Sequence, residues 1–163
     1  MDHIDIVVDE RGDYLDHAAL IWAAATAARD ADSEPATLQQ ARPVILKVLS
    51  RSPLAFLLLA IVHENVVGFA ALAPHLDEQQ SAELVYLGVN PLYWQRNIGK
   101  KLLSALLPIA ASKGFNRVYL NVYCDNMNAI RLYERQGWLR SSVPLENPRT
   151  KRLEQRFWIH TTA

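Results

Sequence analysis

LNVYCDNMNAIRLYERQGW, residues 120–138, is the stretch on which the reading of this chain turns. Asn126, then Ala129 or Ile130, then Tyr133 fall at helical intervals, so an amide and a phenol share one helix face. Asp125 or Asn126 is placed to cap that helix, which the spacing carries to about Gln136, where Gly137 supplies a stop. A capping asparagine and a core tyrosine would account for this stretch by itself. The flanks read as strands: Arg117 to Tyr123 before it, Trp138 to Val143 and Leu153 to Thr161 after it.

Upstream, LGVNPLYWQRNIGKKLL at residues 87–103 runs from a strand end through a tight polar loop into a helix start. Such a succession aims several unpaired amides at one point and suits an anion. Gly99 allows close backbone approach, Asn97 can adopt the left-handed conformation at modest cost, and Arg96, Lys100 and Lys101 add charge. An ordinary strand-to-helix connection with a solvated basic turn is the other reading of this segment. Gly88, inside the strand, marks either a close backbone approach or a simple sheet irregularity.

Further toward the amino terminus, residues 3–9 read as a strand, and Tyr14 to about Asp30 as an Ala-rich helix capped by Asp13. Asp32-Ser33-Glu34-Pro35 is a break. Residues 37–51 form a second helix that Pro43 either starts afresh or kinks. Leu54 to Val62 and Val66 to Leu72 bracket His63-Glu64-Asn65 as a hairpin, and Glu83 to Val89 makes the third strand of a meander. Pro108 is expected to kink or end the helix that starts at Ile98, leaving residues 109–113 as a separate turn. The order is strand, helices, three-strand meander, helix, strand, helix, two strands, an α+β arrangement.

The 163 residues balance 17 Lys and Arg against 17 Asp and Glu, half are hydrophobic, and Cys124 is the one cysteine. A chain this long buries roughly two thirds of its unfolded surface, so residues 1–163 read as one domain that needs no metal or disulfide staple. One cysteine builds neither an internal disulfide nor a zinc knuckle. The charge balance argues against a nucleic-acid backbone as main partner, though a few backbone amides can bind a pyrophosphate without altering it. The apolar windows fall short of the ~18 residues that span a bilayer, and MDHIDIVVDE lacks the features of a signal peptide. The expectation is a soluble, cytoplasmic protein with no metal, membrane or nucleic-acid partner.

Together, residues 87–103 and 120–138 resemble the GCN5-related N-acetyltransferase (GNAT) superfamily, whose members move an acetyl group from acetyl-coenzyme A to a primary amine. One pattern of that superfamily, Asn-x-x-Ala-x-x-Leu-Tyr-x-x-x-Gly-Phe, is matched at Asn126, Ala129, Leu132, Tyr133 and Gly137, with Trp138 as the aromatic. The other, Gln/Arg-x-x-Gly-x-Gly/Ala, is looser. Trp94 stands at the Gln/Arg position, Asn97 at the first glycine, and Gly99 is kept.

The resemblance implies a mixed, mostly antiparallel seven-stranded sheet flanked by about four helices and splayed at its central strands. It implies acetyl-CoA as cosubstrate, its pyrophosphate held by the amides of Gln95, Arg96, Asn97, Ile98, Gly99 and Lys100, and its pantetheine arm paired with Leu87, Gly88 and Val89. Asn126 and Tyr133 would also contact it. An alkylamine of pKa near ~10 is neutral in about one molecule in a thousand at pH 7, a handicap of roughly 4 kcal/mol, so a base is required. By similarity Glu83 is that base and Tyr133 the acid that protonates the departing thiolate. The superfamily's glutamate at the position matched by Asn121, found in some protein-amino-terminal acetyltransferases, is absent. A non-catalytic acyl-CoA binding or sensing module is the alternative. The acceptor, a small molecule favoured over a protein, would lie between residues 14–51 and 144–152, where Trp22, Arg29, Arg42, Glu146, Arg149 and Lys151 form no diagnostic cluster. A homodimer is compatible with the resemblance.

Overall fold

A computed structural model describes residues 3–32 and 34–162. Ser33, in the expected break, lies outside the described residues, as do Met1, Asp2 and Ala163. The elements in chain order are β1 (Asp5–Val8), α1 (Leu15–Arg29), α2 (Leu38–Leu49), β2 (Phe56–Val62), β3 (Asn65–Pro74), β4 (Ser81–Val89), a 3-10 turn at Pro91–Tyr93, α3 (Ile98–Ser112), β5 (Arg117–Tyr123), α4 (Met127–Arg135), β6 (Leu139–Glu146) and β7 (Leu153–His160). The strands form a seven-stranded sheet in the order β1-β2-β3-β4-β5-β7-β6. Antiparallel ladders join β1 to β2, β2 to β3, β5 to β7 and β6 to β7. Parallel pairing of Ser81, Ala82 and Glu83 with Arg117, Val118 and Tyr119 makes the sheet mixed. No helix among the described residues is long and apolar enough to cross a membrane.

The chain divides into two compact units. One comprises the chain up to Pro74 together with Leu84–Leu106, and the other His75–Glu83 together with the chain from Leu107 on. In the first, α1 and α2 bury Ala18, Ala19, Ile21, Ala41, Ile45 and Val48 against Leu57, Leu59, Phe69 and Ala71 of β2 and β3. The small residues of α1 let the helix lie close to the sheet. Gly68 faces the other way, where an added Cβ would stand 3.1 Å from Ile98 and 3.3 Å from Leu102 of α3. In the second unit, α4 lays Tyr133 against Phe157 of β7, with ring centroids 6.1 Å apart.

Local chemistry accounts for most boundaries. Thr37 and Gln40 form a reciprocal capping box that starts α2. Asn126, with its side chain accepting from the Ala129 amide at 3.3 Å, starts α4. His63 and Glu64 both take positive φ, 48° and 68°, the mirror-image turn whose twist matches a hairpin's strands.

Two expectations are corrected. Asp13 does not cap α1: Tyr14 occupies that position without a side-chain bond, and the Asp9 carboxylate collects the amides of Gly12, Asp13 and Tyr14 at 3.0–3.1 Å. An acceptor set back at the end of β1 serves the whole turn, which a residue adjoining the helix cannot do. Pro108 does not end α3, which continues to Ser112. Proline leaves the Ser104 carbonyl without its helical donor, but both residues are exposed, so water replaces the bond. Pro43 likewise lies inside α2.

Gly88 has a packing role. A Cβ there would stand 2.7 Å from Phe69 Cε1 and 3.5 Å from Ile21 Cγ2, in a fully buried part of the core. Gly88→Ala is therefore expected to lower stability by about 1–3 kcal/mol, measured by urea unfolding. A wild-type midpoint would show that Phe69 gives way freely.

Candidate active site

In the first unit, the segment after β4 is shaped by its own backbone. The Asn90 amide donates to the Val67 carbonyl at 2.8 Å, and the Asn90 side chain accepts from the Leu92 amide at 3.0 Å. Pro91–Tyr93 follow as the 3-10 turn. Trp94 then donates its indole Nε1–H to the Val89 carbonyl at 2.8 Å, fastening the loop to the end of the strand. This residue departs from the superfamily pattern, and it serves the loop as a staple. Arg96 lies with its guanidinium 4.9 Å from the centre of the Tyr93 ring.

Gln95 and Asn97 both stand at positive φ, 65° and 63°, with Arg96 between them on the ordinary side. Alternation of this kind turns successive amides inward, forming a concavity for an anion. The helical ladder then begins with Lys101 N–H donating to the Asn97 carbonyl at 3.1 Å. The amides of Ile98, Gly99 and Lys100, in the first turn, have no partner within the helix. Asn97 adopts the conformation expected of it; that of Gln95 was not legible, since glutamine has no special tolerance for it.

The second unit holds the other expected residues. Asn126 and Tyr133 sit at the start and on the buried side of α4, the phenol ring 8% exposed. Tyr133 lies between Trp138 and Phe157, at centroid distances of 5.9 and 6.1 Å. Burial pushes its hydroxyl pKa up to about 12. The Cys124 amide is bonded to the Leu153 carbonyl.

Glu83 is partly buried on β4, directly across from Tyr119 of β5. His75 joins the same neighbourhood, its ring edge-on to Tyr119 at 5.1 Å. Burial, and then the charge of Arg156, lower the His75 pKa, while Glu83, Asp77 and Glu78 pull it the other way. His75, Tyr119 and Arg156 had escaped the sequence reading. The alternation in RVYLNVY and LEQRFWIH, which sets Tyr119 and Arg156 on one face, was the available signal.

Leu87, Gly88, Val89 and Gln95 to Lys100 thus belong to the first unit, and Glu83, Asn126 and Tyr133 to the second. Of the charges considered for an acceptor, Arg29 pairs with Asp30 at 3.0 Å, Arg42 with Asp16 at 3.2 Å and Lys151 with Glu146 at 4.0 Å. Trp22 packs edge-on to Tyr86. These side chains are engaged locally.

A model of the acetyltransferase (GNAT) family matches residues 17–138. The spermine/spermidine N(1)-acetyltransferase of Bacillus subtilis (strain 168) is 36% identical over 80 residues, 45% of this chain and 53% of that protein. The chain spans about half, or less, of the length of the curated relatives it matches. The ribosomal-protein-S18-alanine N-acetyltransferase of Escherichia coli has a TM-score of 0.74 at 16% identity, covering 99% of this chain and 96% of that one. A Salmonella typhimurium structure containing its cofactor acetyl-CoA has a TM-score of 0.72 at 18% identity, covering 97% and 94%. These two likenesses are of fold.

The buried phenol gives a spectroscopic prediction. Ultraviolet titration should show one tyrosine still protonated until about pH 12, and that late step should be missing in Tyr133→Phe. The folded pKa is raised above the unfolded value near ~10, so the contribution of this group to stability is whole below pH 10 and lost as pH rises toward 12. A wild-type titration with no late step would refute the burial.

Proposed function

The chain belongs to the acetyltransferase (GNAT) family, and on that premise we propose that it transfers an acetyl group from acetyl-CoA directly to a primary amine. The observation that carries this reading is the pair of left-handed residues, Gln95 and Asn97, leading into the first turn of α3, whose amides have no partner within the helix. A pyrophosphate needs converging N–H donors more than it needs particular side chains, so the replacement of the first pattern glycine by Asn97, itself at positive φ, is compatible with the reading. Arg96 and Lys100 add positive charge beside those donors.

Each residue then has a stated part. The amides of Gln95 to Lys100 hold the pyrophosphate. Leu87, Gly88 and Val89 offer main-chain groups to the pantetheine arm. Gly88 contributes through its backbone, since the space beside its Cα belongs to Phe69. Asn126 fixes the start of α4 and with it the placement of Tyr133 on that helix.

The reaction balances as follows. Glu83, directly or through water, accepts the proton that the attacking amine loses. A carbon–nitrogen bond forms at the acetyl carbon as its carbon–sulfur bond breaks. Tyr133, protonated throughout the physiological range, gives its proton to the departing sulfur and regains one from solvent. The products are the acetamide and free coenzyme A. No metal enters any step.

Release of thiol from acetyl-CoA across a panel of amines tests the reading. Tyr133→Phe is expected to lower kcat by about 10²-fold while leaving the coenzyme A dissociation constant near its wild-type value. Glu83→Gln should depress kcat/KM most at low pH, where unassisted neutral amine is scarcest. Tight binding of coenzyme A without turnover of any amine, and with no effect of Tyr133→Phe, would instead establish a binding or sensing module. A melting temperature unmoved by coenzyme A would exclude both, because a ligand at 100 times its dissociation constant adds about 2.7 kcal/mol.

A further inference from the structure

In the second unit, strand register gathers Glu83, Tyr119 and Trp158 into one row across β4, β5 and β7, and Asn121 and Arg156 into the next. Helix α4 packs on the opposite face, where Tyr133 meets Phe157. Two arginines converge on Tyr119 from the face that bears Glu83. Arg156 holds its guanidinium 4.1 Å from the Tyr119 ring centre, and Arg117 directs Nη1 to the Tyr119 hydroxyl at 3.4 Å while lying 4.6 Å from the Trp158 ring.

Neither guanidinium has a carboxylate at hydrogen-bonding distance among the described residues. The nearest acid to Arg156 is Glu78, at 3.7 Å and half exposed. The contrast is Arg152, whose Nη2 meets Asp125 at 2.8 Å. Arg156 also faces His75 Nε2 at 3.2 Å, but that nitrogen is a poor acceptor. His75 Nδ1 already accepts the amides of Asp77 and Glu78, both at 3.1 Å, so a neutral ring carries its proton on Nε2. Two donors therefore meet, and the fork of Arg156, 30% exposed, is left short of an acceptor. A partly buried guanidinium gains most from a planar, bidentate carboxylate.

Resting on the acetyltransferase reading, we infer that the acceptor is a free amino acid, whose carboxylate is held by Arg156 with Arg117 beside it while its amine is presented to Glu83. Neighbouring strands lie about 4.8 Å apart. Tyr119, beneath Arg156, is the direct neighbour of Glu83, so anion and base positions are separated by a short molecule's length. A polyamine would bring further positive charge against two guanidinium groups. A peptide amino terminus would bring a neutral amide where the carboxylate belongs.

The test compares free amino acids, the corresponding amino-acid amides and spermidine as acceptors, with thiol release as readout, in the wild type, Arg156→Gln and Arg156→Lys. The expected result is turnover of at least one free amino acid. Its KM should rise about tenfold or more in Arg156→Gln and recover in part in Arg156→Lys, with a smaller change for the amide. Turnover of spermidine or of amides, but of no free amino acid, overturns this acceptor class and leaves the acetyltransferase reading standing. Absence of turnover with every amine counts against the acetyltransferase reading. Thermal melting of the coenzyme A-saturated protein then decides the acceptor separately: a free amino acid that stabilises the wild type but not Arg156→Gln supports the inference, and equal response of the two overturns it.

Discussion

Two residues held at positive φ, Gln95 and Asn97, determine how the chain leaves β4 and enters α3. Alternation of backbone hand turns successive amides of such a loop toward one side. The surrounding contacts hold the turn in place. Trp94 ties it to the Val89 carbonyl, Asn90 closes the preceding turn, and Ile98, fully buried, anchors the start of the helix beneath Gly68. A left-handed conformation costs a non-glycine residue roughly 1–2 kcal/mol, and here two such residues flank Arg96.

Zero net charge is consistent with this division of labour. In the proposed reaction, the most highly charged part of the cosubstrate is met by main-chain dipoles, whose strength does not depend on composition. Side chains are kept for proton movement, and their surroundings suit them to it. Tyr133 is buried among aromatics and stays protonated, as a donor must. Glu83 sits partly buried on its strand, directly across from Tyr119. Arg117 and Arg156 rest on the faces of Trp158 and Tyr119, and in the inferred acceptor complex Arg156 turns its fork to the carboxylate.

The order of elements was legible because each is announced locally, by the alternation of β5, the capping asparagine of α4 and the hairpin around His63 and Glu64. The motif at Asn126 to Trp138 was legible for the same reason: its spacing is helical and its residue types are few. What stayed hidden depended on partners distant in sequence. Asp13 looked like the cap of α1 because it adjoins the helix, whereas Asp9 reaches the same amides from the strand end. Pro108 looked like a breaker because its tolerance depends on both it and Ser104 facing solvent. Gly88 looked ambiguous until Phe69 was found against it. Arg156 and His75 are 81 residues apart and carry no local signal of their meeting.

Backbone geometry, rather than side-chain identity, is the proposed basis of cofactor binding, and one comparison isolates it: the coenzyme A dissociation constant of the wild type, Asn97→Gly and Asn97→Val. Glycine adopts positive φ freely, so Asn97→Gly should bind as tightly as the wild type or more tightly. Valine, branched at Cβ, resists that conformation, and Asn97→Val should bind about tenfold more weakly or worse. Equal affinities for Asn97→Val and the wild type would contradict a backbone-built pyrophosphate site.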